Sequence, residues 1–256
     1  ATIRRQRQMC IRDRALRAQC DREIYKKSIQ KILKQTSIEI LEGEVIDLMV
    51  EKGAVIGVEV ENVGTVHAEK TILTTGTFLN GIMYSGKTKK YGGRVGEKPS
   101  IPLSERMYGM GLMMGRLKTG TPPRIKMSSL NLNVMDEQPG DLPTPFMSSL
   151  QKQHPHPKQL SCFITRTTQK TKKIIEKDLH LSAMYSGQIQ GIGPRYCPSI
   201  EDKVEKFKNK ETHQVFIEPE GINIDLVYPN GISSSLPVET QDRFVSCLLY
   251  TSPSPR

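Results

Sequence analysis

The sequence predicts a mixed α/β fold, and three observations predict it. Apolar and β-branched residues alternate over 45–50 and again over 55–60, the period of half-buried strands. Ile24, Ile29, Ile32 and Leu33 fall near one stripe of a 3.6-residue helix, with Lys26, Lys27, Lys31 and Lys34 mostly elsewhere. Ser199 followed by Asp202 carries the spacing of a capping box at the start of a further helix. The chain has 256 residues, 36% of them hydrophobic and 25% charged, which places it among globular proteins and excludes collagen and wholesale disorder. No apolar run approaches the length of a membrane-spanning helix. Five cysteines without regular spacing make no disulfide framework and point to a reducing compartment.

The elements follow in order. Residues 16–33 are expected to form the amphipathic helix. A strand at 45–50, a turn at Gly53, a strand at 55–60, a turn at Val63-Gly64 and a short strand at 65–68 make a meander. A return strand is expected over 71–74. The Gly-, Lys- and Tyr-rich stretch 81–99 reads as a loop and 100–110 as a short helix. GRLKTGTPPRI, 115–125, reads as a strand entering a Pro-Pro-braced turn. Residues 127–160 have no clear period and read as an irregular excursion. A strand at 161–165 leads to a basic-faced helix at 168–177, carrying Lys170, Lys172, Lys173 and Lys177. After the Ser199-capped helix come a strand at 213–218 and a turn at 228–231.

Both ends look foreign to this pattern. RQRQMCIRDR near the start and SCLLYTSPSPR at 246–256 resemble translated sequencing-adapter read-through, so residues 1–14 and 246–256 are expected to be non-native. Arg4, Arg5, Arg7, Arg12, Arg14 and Arg256, set against Asp13, hold five of the ten net positive charges. The remaining basicity still suits a polyanionic partner, though modestly.

Chemistry concentrates in the segment Gly191-Ile192-Gly193-Pro194-Arg195-Tyr196-Cys197-Pro198-Ser199. Glycines let a backbone approach a ligand closely, and the helix start that follows offers free amides and a positive dipole end. Cys197 lies two residues before the cap with Arg195 nearby, and both favour a thiolate. A buried structural cysteine beside a tight proline turn fits the same residues equally well. Cys20, on the first helix, and Cys162, on a strand, are expected to be packing residues. His154 and His156 sit in a Pro-rich stretch, and no metal is expected. Lys87, Lys89, Lys90 and Arg94 form a basic loop, as suited to solvent as to phosphate.

At this point the residues resemble a family. GPRYCPSIEDKVEKF at 193–207 is similar to the signature of the MnmG (GidA) flavoproteins. So are GRLKTGTPPRI at 115–125, PSIPLSERM at 99–107 and EPEG to ISSSLP over 218–237. The resemblance runs from about residue 16 to about residue 245. It implies a partial FAD-binding doubly wound domain of the glutathione-reductase type, with a β-meander and an inserted α/β domain. The implied limits are 15–117 for the partial FAD-binding domain, 118–207 for the inserted domain and 208–245 for the return toward the first.

The activity implied is addition of a carboxymethylaminomethyl or aminomethyl group to the fifth ring position of the wobble uridine of tRNA. FAD, NADH and methylene-tetrahydrofolate are the implied cofactors and carbon donor, with an MnmE-type GTPase as partner, a homodimer as assembly and the bacterial cytoplasm as location. By motif, Cys197 resembles a family thiol implicated in catalysis, and Arg195 and Lys203 resemble groups that orient anions. Val45 and Ser100 resemble FAD contacts. The segment resembling a nicotinamide-nucleotide contact comprises Gly193, Pro194, Arg195, Tyr196, Cys197, Pro198, Ser199, Ile200, Glu201, Asp202, Lys203, Val204, Glu205, Lys206 and Phe207. As a piece of such an enzyme, the chain is expected to be inactive alone. A folate- and FAD-dependent tRNA uridine methyltransferase and a non-catalytic RNA-binding module are the alternatives.

Overall fold

The computed structural model describes residues 2–7, 14–150, 159–189, 191 and 198–249. The chain opens with β1 (Thr2–Arg7) paired antiparallel to β2 (Arg14–Gln19), so residues 16–19 are extended where the helix expected over 16–33 would begin. The helix α1 (Arg22–Leu33) begins only after Asp21, whose side chain accepts from the Ile24 amide at 2.9 Å. That carboxylate sets the boundary, because it satisfies an amide that has no partner within the first turn. No residue of α1 is buried, and Ile24, Ile29 and Ile32 of its stripe are exposed.

The meander forms where alternation placed it: β3 (Val45–Glu51), β4 (Ala54–Val60) and β5 (Gly64–His67) pair antiparallel in that order. Gly57 lies where another strand comes close, since a Cβ there would stand 2.3 Å from the Val66 carbonyl oxygen. Residues 71–74 form no strand, and Ile72 is 87% exposed. The expected loop at 81–99 instead holds a hairpin, β6 (Ile82–Ser85) and β7 (Thr88–Tyr91), turned at Gly86 with φ 54°. Its second strand is exposed at every residue, so no alternation marked it. The helix α2 (Pro102–Gly109) packs on β3, where Arg106 reaches Asp47 at 2.7 Å and the Leu48 carbonyl at 3.1 Å.

Residues 115–125 form no strand; Ile125 makes a single antiparallel bridge to Val227. The irregular excursion contains two 3-10 turns and a short edge strand, β8 (Asp136–Gln138). β8 is the margin of the largest sheet, with β9 (Cys162–Arg166), β10 (Gln214–Pro219) and β11 (Val227–Asn230) in the order β11-β10-β9-β8, all antiparallel. Residues 228–230 are thus strand, and the turn falls at Gly231 with φ 109°.

The core lies between this sheet and three helices: α3 (Gln169–Asp178), α4 (Ile200–Lys206) and α5 (Val238–Leu249). Ile175, Ile200, Val215, Ile217, Val227, Leu236 and Phe244 are fully enclosed there. Thr168 caps α3 in a reciprocal box with Thr171. Asp178 near the end of α3 holds Arg243 and, at 2.5 Å, the Thr240 hydroxyl, which locks α5 in place. Residues 246–249, at the expected foreign end, continue α5. The mixed α/β class is the one expected. Among the described residues the strand ladders are antiparallel, with Leu79 and Ser100 forming a parallel bridge.

Candidate functional site

Of the expected nucleotide segment, residues 193–197, and with them Gly193, Pro194, Arg195, Tyr196 and Cys197, lie outside the described residues. The part from Pro198 onward is defined by the start of α4. Ser199 Oγ accepts from the Asp202 amide at 3.2 Å, and Asp202 accepts from the Ser199 amide at 3.3 Å, which is the capping box its spacing foretold. The first turn is therefore closed by its own side chains and carries two acids, Glu201 and Asp202. Lys118 stands 3.3 Å from Asp202 and Lys206 stands 3.4 Å away. Burial works against the Asp202 carboxylate, yet Lys118, helped by Lys206 and the Ser199 amide, holds its pKa below the usual range. Burial, together with Asp202, pushes the neighbouring Tyr185 phenol up to about 12.

Glu201 is the most enclosed acid of this turn, with no exposed surface. Its Oε1 accepts from the Ser235 amide at 2.8 Å and from the hydroxyls of Ser234 at 3.1 Å and of Ser182 and Ser235, each at 3.3 Å. It thereby fastens α4 to the loop between β11 and α5. Lys203 donates to the Gly231 carbonyl at 2.7 Å, a second tie between α4 and the end of β11. Ile200 and Val204 are core residues, while Glu205, Lys206 and Phe207 lie toward solvent.

The two expected FAD contacts sit on neighbouring elements. Val45 opens β3 opposite Val60. Ser100 pairs its backbone with the strand-like residues 78–80, donating to Phe78 O and accepting from Asn80 N, both at 2.9 Å. Its hydroxyl has no hydrogen-bond partner among the described residues. The helix cap itself is Ile101, one residue later, with Pro102 opening the helix. α1, α3 and α4 close their first turns with Asp21, Thr168 and Ser199, whereas α2 has no side-chain cap. The first turn of α2 thus keeps free amides beside an unengaged hydroxyl, a donor set that fits a diphosphate.

A third feature was not read from the sequence. Three extended segments turn alternate residues to one place: Arg17 and Gln19 of β2, Glu218 of β10 with Glu220 just beyond it, and Tyr228 and Asn230 of β11. With Cys20 and Arg22 they line a cleft of about 270 Å³. Its floor is ionic. Arg17 grips Glu218 with two guanidinium nitrogens, the second at 2.9 Å, and Glu220 receives both Arg22, at 2.6 Å, and Arg124. Glu218 and Glu220 are buried, and the Arg124 guanidinium lies 4.4 Å from the centre of the Tyr228 ring. Asp21 ties the rim by accepting from the Ile222 amide at 2.7 Å, and Gly221 leaves room for it, since a Cβ there would meet Asp21 Oδ2 at 2.7 Å. Cys20, expected to pack on a helix, instead lies between β2 and α1 and lines this cleft; Cys162 is buried as expected. The signal was present as i,i+2 pairs of polar residues, but the partner segments are some two hundred positions apart.

The fold and site define a mixed α/β protein with a self-capped α4 segment and an ion-paired cleft lined from β2, β10 and β11. The chain belongs to the family described as glucose inhibited division protein A, which it matches over residues 7–249. It is similar to Aquifex aeolicus GidA in two crystal forms. Form I is 39% identical, with a TM-score of 0.83 over 96% of this chain and 43% of that one. Form II is 36% identical, with a TM-score of 0.82 over 97% of this chain and 40% of that one. The chain therefore spans less than half the length of these relatives.

Proposed function

We propose that the chain is a central part of an FAD-dependent enzyme that modifies the wobble uridine of tRNA at the fifth ring position. The group added is carboxymethylaminomethyl or aminomethyl, with NADH as reductant, methylene-tetrahydrofolate as carbon donor and an MnmE-type GTPase as partner. The reading is carried by one observation. The family motifs occur in their order within a chain that shares the fold of Aquifex aeolicus GidA over 96% of its length.

FAD supplies the redox chemistry when bound. The first turn of α2 and the Ser100 hydroxyl would hold its phosphates, and the backbone at Val45 would meet its adenosine. Arg106 fixes that pairing by clamping α2 to β3. The segment from Gly193 to Phe207 would take the nicotinamide nucleotide, with Lys118 and Lys206 offsetting the acids of the first turn of α4. Cys197 would add as a thiolate beside the carbon to be alkylated and make that carbon nucleophilic, while Arg195 orients anionic groups. Lys203, committed to the Gly231 carbonyl, would hold α4 in register rather than move.

The test is replacement of the residue matching Cys197 by Ser and by Ala in a full-length relative. Modified uridine in tRNA is then quantified by mass spectrometry. Loss of the modification with retained flavin is the expected result; a full level of modification would remove Cys197 from catalysis.

A further inference from the structure

We propose that the Arg17–Glu218 cleft receives the cyclic imide edge of a planar nitrogen heterocycle, the edge shared by a uracil base and the dione ring of a flavin. The choice of these ligands rests on the proposed function; the recognition chemistry rests on the cleft. The side-chain amides of Gln19 and Asn230 both line the space, and neither hydrogen-bonds to another described residue. A carboxamide offers one acceptor and two donors side by side. That pattern matches an imide N–H flanked by carbonyl oxygens, as a bidentate amide matches a base edge elsewhere. Arg22 spends one nitrogen on Glu220, and its side chain is 62% exposed, so further N–H groups remain for the second carbonyl. Tyr228 also lines the space, and its ring, paired with the Arg124 guanidinium, adds aromatic surface beside the amides.

The same geometry argues against other occupants. The carboxylates of Glu218 and Glu220 are each taken by guanidinium groups, so they are poorly placed to hold a metal ion. Three arginines against two glutamates leave little net charge, so a free phosphate gains little there. The cleft volume of about 270 Å³ lies just under the range of whole-ligand pockets, and suits one ring system rather than a whole cofactor.

Cys20 lines the cleft and provides a built-in reporter. The 256-residue chain is treated with iodoacetamide, and alkylation of Cys20 is followed by peptide mass spectrometry, with Cys247 as the internal reference. Uridine, flavin mononucleotide, N3-methyluridine and cytidine are added in turn. At a ligand concentration about ten times its Kd, occupancy slows Cys20 alkylation roughly tenfold while Cys247 is unchanged. Protection is expected from uridine or the flavin and not from N3-methyluridine or cytidine, which lack the imide N–H. Protection by uridine alone marks a substrate-base pocket, and by the flavin alone a cofactor-ring pocket. Asn230→Ala and Gln19→Ala, each checked by circular dichroism, are expected to abolish it. No protection by either imide ligand, or protection that survives N3 methylation or both substitutions, overturns the proposal. If Cys20 is unprotected while a full-length relative still modifies tRNA, the cleft assignment fails alone. If protection holds but that relative leaves tRNA unmodified, the proposed function fails and the cleft assignment stands.

Discussion

Replacing Glu201 should destabilise the chain more than any surface change, and the amount follows from its surroundings. Glu201→Ala removes the acceptor for the buried Ser235 amide, 2.8 Å away, and for three serine hydroxyls. Ser182 and Ser235 can still bond each other at 2.8 Å, so the Ser235 amide and the Ser234 hydroxyl suffer most. An orphaned buried donor costs about 1–3 kcal/mol. The one lost methylene, Cγ, adds about 0.8 kcal/mol. Against this, relief of a buried carboxylate whose Oε2 has no hydrogen-bond partner among the described residues offsets part of the loss. The net expectation is about 3 kcal/mol, or roughly 6–12 °C in Tm for a chain of this size. Glu201→Gln keeps the Oε1 acceptor and should cost about 1 kcal/mol. Urea unfolding followed by far-UV circular dichroism measures both. A Glu201→Ala variant within about 1 kcal/mol of the parent would refute the reasoning, as would a Gln variant equally damaged.

Other outcomes follow from the same structure. Phe244→Ala empties a fully buried site facing the main sheet and should cost about 3–5 kcal/mol, read from the urea midpoint. Burial, with Lys203 nearby, lowers the His213 pKa below its ordinary 6.5, so the unfolded chain takes up the proton first. Stability from this group is full above 6.5 and declines as pH falls below it, which melts at stepped pH would record, and His213→Gln should flatten the decline. Asp202→Asn should bring the Tyr185 phenol down from about 12 without restoring its ordinary 10, because burial remains; NMR titration of ring-labelled tyrosine tests this. Gly221→Ala should displace the Asp21 carboxylate and fray α1, seen as faster amide exchange over Arg22–Leu33.

The parts legible in the sequence were those built by short-range rules. The meander showed itself because β3 and β4 are half-buried and alternate, α3 because its lysines gather on one face, and α4 because Ser199 is a local cap. The hairpin β6–β7 escaped because its second strand faces solvent throughout. The helix expected from residue 16 begins later because the Asp21 side chain caps it, leaving residues 16–19 to the extended β2. The site divided in the same way. The capping box at Ser199 was readable, but the serines around Glu201 come from positions 182 and 233–235, which no local pattern connects. Arg17 meeting Glu218 is a contact that only the completed fold makes.

That last contact bears on how the chain folds. Arg17 and Glu218 are 201 positions apart, and Arg22 and Glu220 are 198 apart, so the cleft joins an early segment of the described chain to a late one. Loops of this length close slowly, and their entropy is recovered only after the intervening sheet has formed. The cleft is therefore among the last features to assemble and the first to be lost when either end peels away. Any molecule bound there holds β2 against β10 and β11, so its binding energy becomes resistance of the chain to unfolding and to proteolysis, in proportion to the logarithm of its concentration.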